Sequence, residues 1–160
     1  MAKWWPTIKP ASYYTFASGA LGWDAPAAVG IALAERESGT GRPVVAVIGD
    51  RSLQYSIQSL ASAAQHKLKV IYIIPCNGEY AILKEFAELE ITPNVPALDL
   101  PELDIVSTAK GFGCAAVRAR TKQEIREAFS KALNADGPTL IAVPIKHQIR
   151  PIVPLVPEEA

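Results

Sequence analysis

The chain has 160 residues, which is the length of one domain. Sixteen basic residues balance sixteen acidic ones, so no net positive field attracts nucleic acid, and we expect no such partner. No apolar run approaches the roughly 18 residues that span a bilayer, so we expect no membrane segment. Two cysteines are too few for a disulfide framework or a zinc site, and we interpret them as reduced thiols of a cytoplasmic protein.

The uneven distribution of proline divides the chain. Most of the middle is poorer in proline than the two ends, where many of the 13 prolines collect. We therefore predict an N-terminal arm over 1–11, a compact domain over 12–144 and a Pro-rich C-terminal arm over 145–160. The C-terminal arm alternates Pro with Ile, Val and Leu, which favours extended backbone along another surface; a frayed end is the alternative.

Helical patterns and β-branched runs alternate along the compact domain. The predicted elements, in chain order, are a helix over 24–37, a strand over 44–48, a helix over about 54–66, a strand over 70–74, helices over about 81–89 and 105–110, a strand over 115–118, a helix over about 122–134 and a strand over 139–143. We expect Asp24, Asp104 and Thr121 to cap the helices that follow them. Alternating strands and helices predict an α/β fold with three layers, α/β/α, around a central, mainly parallel sheet.

The candidate chemistry follows two of these strands, because ligands of parallel sheets bind beyond the carboxyl ends of the strands. Residues 49–52 follow the first strand, and residues 77–80 follow the second. Adjacent strands would bring Asp50 close to Asn77, and a carboxylate with an amide oxygen suits a hard ion such as Mg²⁺. From the residues alone, Asp50 could instead be a helix N-cap, and Asn77 with Gly78 could be an ordinary turn.

The spacing of these residues resembles the signature of thiamine-diphosphate-dependent enzymes, in which a Gly-Asp pair is followed 27 positions after the Asp by an Asn. Over about 12–144 the chain is similar to the C-terminal cofactor-binding domain of 2-keto acid decarboxylases of the benzoylformate decarboxylase type. The likeness lies at positions 12–14, 19–22, 26–28, 47–50, 55–57, 77–80, 94–96, 98–99 and 109–111. This combination is specific, whereas the Gly-Asp pair alone would be a weak signal.

The resemblance implies a magnesium site and a diphosphate site. Asp50 and Asn77 would hold Mg²⁺ through side-chain oxygens, and Glu79 would hold it through its backbone carbonyl. Ser52 and nearby backbone N–H groups would bind the diphosphate of thiamine diphosphate, and Gly49 would let the backbone approach it.

The resemblance also assigns residues to the rest of the cofactor and to the substrate. Leu21 would be the wedge beneath the bend of the cofactor, and Gly19 would accept a hydrogen bond from its 4′-amino group. Tyr55 and Tyr80 would flank the cofactor. Part of an apolar pocket for the substrate's side group would come from Ile82, Leu83 and Phe86, although helical residues of this kind are as often core residues.

Two residues depart from the pattern of the family. Arg51 stands where the family has Gly, and a left-handed backbone there would cost an arginine about 1–2 kcal/mol. The Arg51 guanidinium could instead contribute a cation to the diphosphate site, and both interpretations remain open. Cys76 stands where Asn is common, but a thiol can pack there without loss of the metal contact.

The implied function is that of the cofactor-binding domain of a thiamine-diphosphate-dependent 2-keto acid decarboxylase. In this family the activating glutamate lies on a separate pyrimidine-binding domain, so we expect no catalytic residue in this chain and no activity of the chain alone. The implied partners are that domain, on the same or another chain, a 2-keto acid and further copies in a homo-oligomer. The alternatives are a non-catalytic structural or regulatory relative or fragment whose site Arg51 disables, and a small subunit that pairs with a separate pyrimidine-domain chain.

Overall fold

The computed structural model describes residues 9–15, 19–92, 94–99 and 103–146. The predicted C-terminal arm lies outside these residues from 147 onward, and so does the predicted N-terminal arm up to residue 8. The elements are α1 (Asp24–Glu37), β1 (Val44–Val47), α2 (Asp50–Gln54), α3 (Ser59–Gln65), β2 (Val70–Cys76), α4 (Ala81–Leu89), α5 (Ile105–Gly111), β3 (Ala115–Arg118), α6 (Lys122–Leu133) and β4 (Thr139–Pro144).

The strands form one parallel sheet in the order β1-β2-β4-β3. Val44 lies opposite Val70 in the register of β1 with β2, and Ile71 lies opposite Thr139 in that of β2 with β4. The two central strands, β2 and β4, are more buried than the edge strands β1 and β3, because each has a neighbouring strand on both sides and helices cover both of its faces. The predicted α/β fold is confirmed, and the carboxyl ends of β1 and β2 are neighbours.

Helices cover both faces of the sheet. One core cluster includes buried residues of α1, α2, α3 and α5 and the side chains of Tyr72 and Leu140 from the sheet. The other combines Ile71 and Ile141, which point to the opposite face, with Ala128 and Ala132 of α6. Because successive strand residues alternate between the two faces, each central strand contributes to both clusters. This is the predicted three-layer arrangement.

The helix predicted over 54–66 is in fact two helices. α2 begins earlier than expected, at Asp50, and ends at Gln54, while α3 begins at Ser59. Between them, Ser56 N donates to Leu53 O and Ser59 N donates to Ser56 O. These bonds to the third preceding residue tighten the chain into a turn, which the apolar spacing does not reveal.

Helix capping differs in detail from the expectation. Asp104 caps α5, since its Oδ1 accepts from Ser107 N at 3.2 Å. Thr121 caps α6 by accepting from Glu124 N at 3.1 Å, but Glu124 Oε2 accepts from Arg120 N rather than from the cap residue. Asp24 is the first residue of α1 and not its N-cap, which is Trp23.

Neither a membrane-spanning helix nor a disulfide is found in the part of the chain that the structure describes. No helix there combines the length and the apolar character needed to cross a bilayer. Cys76 and Cys114 are both free thiols.

Candidate functional site

The loops that follow β1 and β2 meet at the carboxyl edge of the sheet. The Asp50 carboxylate joins them, since its Oδ2 accepts a hydrogen bond from Gly78 N at 3.1 Å. Its Oδ1 accepts from Arg51 N at 3.0 Å, and the side chain is 13% exposed. The pairing of β1 with β2 places the two loops side by side, so Asp50 contacts the turn that contains Asn77.

Asn77 lies in a tight turn at this edge. Its Oδ1 accepts from Glu79 N at 3.4 Å, a long hydrogen bond that fixes the side chain only weakly. Gly78 has a φ of +77°, which glycine adopts without strain. The site therefore offers a carboxylate and an amide oxygen in adjoining turns, and these hard donors fit Mg²⁺. The described residues contain no cluster of three or more His, Cys, Asp and Glu side chains that could hold a metal. The expected ligands are the Asp50 carboxylate, the Asn77 amide oxygen and the Glu79 backbone carbonyl, and they do not require such a cluster.

The Glu79 side chain is engaged in a structural ion pair. It is 4% exposed and accepts a 2.7 Å hydrogen bond from Lys84 Nζ, which also pairs with the exposed carboxylate of Asp99. Glu79 and Asp99 form an isolated antiparallel bridge, and Tyr80 N donates to Leu98 O at 3.0 Å. The segment 94–99 is thus attached to the loop after β2, and the metal role expected of Glu79 requires only its backbone carbonyl.

Arg51 lies in helix α2, and its backbone is not left-handed. The strain considered for an arginine at this position is therefore absent. The side chain is 6% exposed, and Nε lies 3.9 Å from Asp50 Oδ2. Burial raises the pKa values of the Cys76 thiol and the Tyr80 hydroxyl, and the positive charge of Arg51 partly offsets both increases. The charge of Arg51 therefore also acts on residues near the end of β2.

The Ser52 side chain connects the loop before α1 to helix α2 by hydrogen bonds. Its Oγ accepts from Gly22 N at 3.3 Å, and its hydroxyl also bonds the Asp24 side chain. Partial burial raises the pKa of Asp24, and the hydrogen bonds from its own backbone and from Ser52 oppose that rise. This contact fixes the loop that contains Gly19, which has a φ of 70°, and Leu21. Sequence reasoning missed the roles of Gly22 and Asp24.

The expected cofactor-facing apolar and aromatic side chains are accessible. Leu21 is 38% exposed and Tyr55 is 58% exposed. The hydroxyls of Tyr55 and Tyr80 hydrogen-bond each other; burial first, and then this bond, raises the pKa of Tyr80. Tyr55 follows α2 and Tyr80 precedes α4, so the two tyrosines connect the same two segments as Asp50 and Gly78.

Helix α4 exposes the apolar residues that were expected to line a substrate pocket. Ile82, Leu83 and Phe86 are between 41% and 47% exposed, and the buried residue of this helix is Ala87. These three side chains are therefore not among the buried core residues of the described part of the chain.

Two cavities lie away from this edge. One of about 280 Å³ is lined by residues that include Glu35, Arg42 and Lys69, near the starts of β1 and β2. The other, of about 360 Å³, lies between β3 and α6. Neither cavity includes a residue of the expected cofactor site.

Comparison with known proteins identifies the family. Residues 1–143 match the thiamine pyrophosphate enzymes' C-terminal TPP binding domain. The chain belongs to this family. The resemblance inferred from the sequence is thereby confirmed, and the cofactor of the family is thiamine diphosphate, usually with Mg²⁺ as its metal.

The relatives of this TPP-binding domain include decarboxylases of aromatic 2-keto acids. It is 43% identical over 136 residues to benzoylformate decarboxylase of Pseudomonas aeruginosa, an alignment that covers 85% of the chain and 25% of that relative. The crystal structure of benzoylformate decarboxylase from Polynucleobacter necessarius matches with a TM-score of 0.87 and 51% identity over 90% of this chain and 27% of that one. The thiamine diphosphate-dependent 4-hydroxybenzoylformate decarboxylase of Rhodococcus jostii RHA1 matches with a TM-score of 0.75 and 41% identity, covering 81% of this chain and 24% of that one. The chain spans about a quarter of the length of these relatives.

Proposed function

We propose that this TPP-binding domain anchors the diphosphate end of thiamine diphosphate through Mg²⁺ at the carboxyl edge of β1 and β2. Asp50 and Asn77 would hold the metal by side-chain oxygens, and Glu79 would add its backbone carbonyl. The observation that carries the proposal is the hydrogen bond from Gly78 N to Asp50 Oδ2, because it brings the two ligand-bearing loops into contact.

The backbone around these ligands leaves room for a bound anion. A Cβ atom built on Gly49 or on Gly78 would meet no other atom within 4 Å, so neither position is filled by protein. We propose that the diphosphate lies along these turns, near Ser52. Since the Ser52 hydroxyl already bonds Gly22 and Asp24, it would position the loop as well as contact the anion.

We propose that the partly exposed side chains at the same edge orient the remainder of the cofactor. Leu21 would lie beneath its bend, with the Gly19 carbonyl as acceptor for the amino group, and Tyr55 and Tyr80 would lie on either side. When bound, thiamine diphosphate supplies an electron sink for the carbanion that forms as CO₂ leaves a 2-keto acid. The residues of this domain would bind the cofactor, orient it and exclude water from it.

The substrate is proposed to be a 2-keto acid with an apolar or aromatic side group. This follows from the exposed apolar face of α4, given by Ile82, Leu83 and Phe86, and agrees with the aromatic keto acids in the names of the relatives. We further propose that a pyrimidine-binding domain, on the same or another chain, completes the active site, and that the full enzyme is a homo-oligomer.

Titration of thiamine diphosphate in the presence of Mg²⁺, followed by calorimetry, tests the anchoring role. We expect saturable binding that Asp50→Ala lowers at least about tenfold, since removal of a charged ligand costs more than 1.4 kcal/mol. Asp136→Ala is the control, because Asp136 is exposed in the turn before β4. Absence of binding in the folded wild-type chain would overturn the proposal, as would equal binding by Asp50→Ala.

An activity assay tests whether the active site is divided between this domain and a pyrimidine-binding domain. We expect the chain alone to release no CO₂ from benzoylformate with thiamine diphosphate and Mg²⁺ present, and a pyrimidine-domain chain to be needed for turnover. Decarboxylation by the purified chain without added protein would contradict this part of the proposal.

A further inference from the structure

Arg51 places a permanent positive charge beside the carboxylate that we propose as a metal ligand. Its side chain is 6% exposed, and Nε lies 3.9 Å from Asp50 Oδ2. The helical backbone holds Arg51 in place without strain.

A divalent ion on Asp50 would lie close to this guanidinium. A metal–oxygen distance of about 2 Å, added to the 3.9 Å between Asp50 Oδ2 and Arg51 Nε, places the ion within about 6 Å of Nε. The side chains of Asp50 and Arg51 are largely shielded from water. In such an environment the repulsion between like charges is stronger than it is in bulk solvent. The ion must also compete with Arg51 for the single negative charge of Asp50.

We propose that Arg51 is a resident cation that competes with the divalent metal for Asp50, so that this domain binds Mg²⁺ more weakly than it would with a neutral residue at position 51. The inference rests on the proposed function, because it takes Asp50 as the metal ligand. The same charge attracts diphosphate, so part of the affinity for thiamine diphosphate should persist when the metal is removed.

Mn²⁺ serves as the probe, because the electron paramagnetic resonance signal of the free ion gives its affinity without the cofactor or any activity. We expect Arg51→Met to tighten Mn²⁺ binding by about tenfold or more, since one like charge is removed from the vicinity of the ion. Arg51→Lys retains the charge and should stay within about threefold of the wild type. Arg36→Met is the matched control, because Arg36 donates to His66 O and is not part of the site.

Equal or weaker Mn²⁺ binding by Arg51→Met overturns the inference, while loss of binding in Asp50→Ala would still support the proposed function. Failure of every folded variant to bind Mn²⁺ overturns both. If Arg51→Met does not fold by circular dichroism, Arg51→Gln takes its place, with the same expected direction. In metal-free buffer, thiamine diphosphate should bind the wild type more tightly than it binds the neutral variant, and the reverse order would also contradict the inference.

Discussion

Gly22 lies directly against Tyr55. A Cβ atom built on Gly22 would be 2.6 Å from Tyr55 Cβ, and Gly22 has a φ of +90°. Gly22 N also donates a hydrogen bond to Ser52 Oγ in helix α2, three residues before Tyr55. The loop that carries Leu21 therefore docks on α2 through a contact that only glycine permits.

Substitution of Gly22 should accordingly be severe. We expect Gly22→Ala to lower the free energy of unfolding by about 2–4 kcal/mol, because the new methyl group overlaps Tyr55 and the backbone conformation disfavours a side chain. Urea denaturation followed by circular dichroism measures the loss. Gly30→Ala is the control: Gly30 lies in α1 with no atom near its Cβ position, so alanine should be neutral or stabilise by up to about 1 kcal/mol. Equal stabilities of the two variants would show that the contact does not exist in solution.

Lys84 neutralises the buried Glu79 carboxylate. We expect Lys84→Met to destabilise the domain by about 2–4 kcal/mol, because a buried charge loses its hydrogen-bonded cation. Asp99→Asn is the comparison, since Asp99 is 87% exposed and its pair with Lys84 should be worth less than about 1 kcal/mol. Thermal unfolding of both variants distinguishes these effects; a larger loss for Asp99→Asn would contradict the assignment of Glu79 as the main partner.

Glu35 should make the stability depend on pH in acid. Hydrogen bonds from Arg42, and then from Thr40, lower the pKa of its carboxyl from 4.5 to about 2. Because the folded pKa lies below the unfolded one, this stabilisation is complete above about pH 4.5 and is lost as the pH falls towards 2. We expect Glu35→Gln to flatten the stability profile over that range, measured by urea denaturation at several pH values. Glu90→Gln, at an exposed position after α4, should leave the slope unchanged; an unaltered slope in Glu35→Gln would argue against the Arg42 pair.

The two cysteines should differ in their reaction with iodoacetamide. Burial raises the pKa of the Cys114 thiol to about 11, so at pH 8 it carries little thiolate and is also inaccessible. Burial also raises the pKa of Cys76, but this side chain is only partly buried and should react first. Mass spectrometry of the native protein should show slow labelling that Cys76→Ser abolishes and Cys114→Ala preserves. Rapid labelling of Cys114 in the native state would mean that the core around it opens readily.

The local pattern of the sequence predicts most of the secondary structure. The predicted bounds of β3 and α4 agree with the structure, because hydrophobic periodicity and helix caps depend on residues that are close together in the chain. The division between α2 and α3 could not be predicted in this way. The apolar spacing continues across the turn at 55–58, and the packing of the turn decides its conformation.

The sequence also predicts where in the fold the candidate site lies. A parallel sheet brings the carboxyl ends of β1 and β2 to one edge, so the sequence predicts that Asp50 and Asn77 lie close together. The motif spacing then identified the family, which the comparison confirmed. The sequence could not decide the backbone conformation of Arg51, since arginine is compatible with both strained and helical interpretations.

The sequence by itself therefore determined the family, the α/β class and the two loops that carry the candidate ligands, because these follow from short-range periodicity and from residue spacing. Only the tertiary structure decided that Arg51 is helical and beside Asp50, that Lys84 pairs with Glu79, and that Gly22 lies against Tyr55. The contact of Gly22 with Tyr55 joins segments that are far apart in the chain, and the directions of the Arg51 and Lys84 side chains depend on the packing around them, which no short-range pattern in the chain encodes.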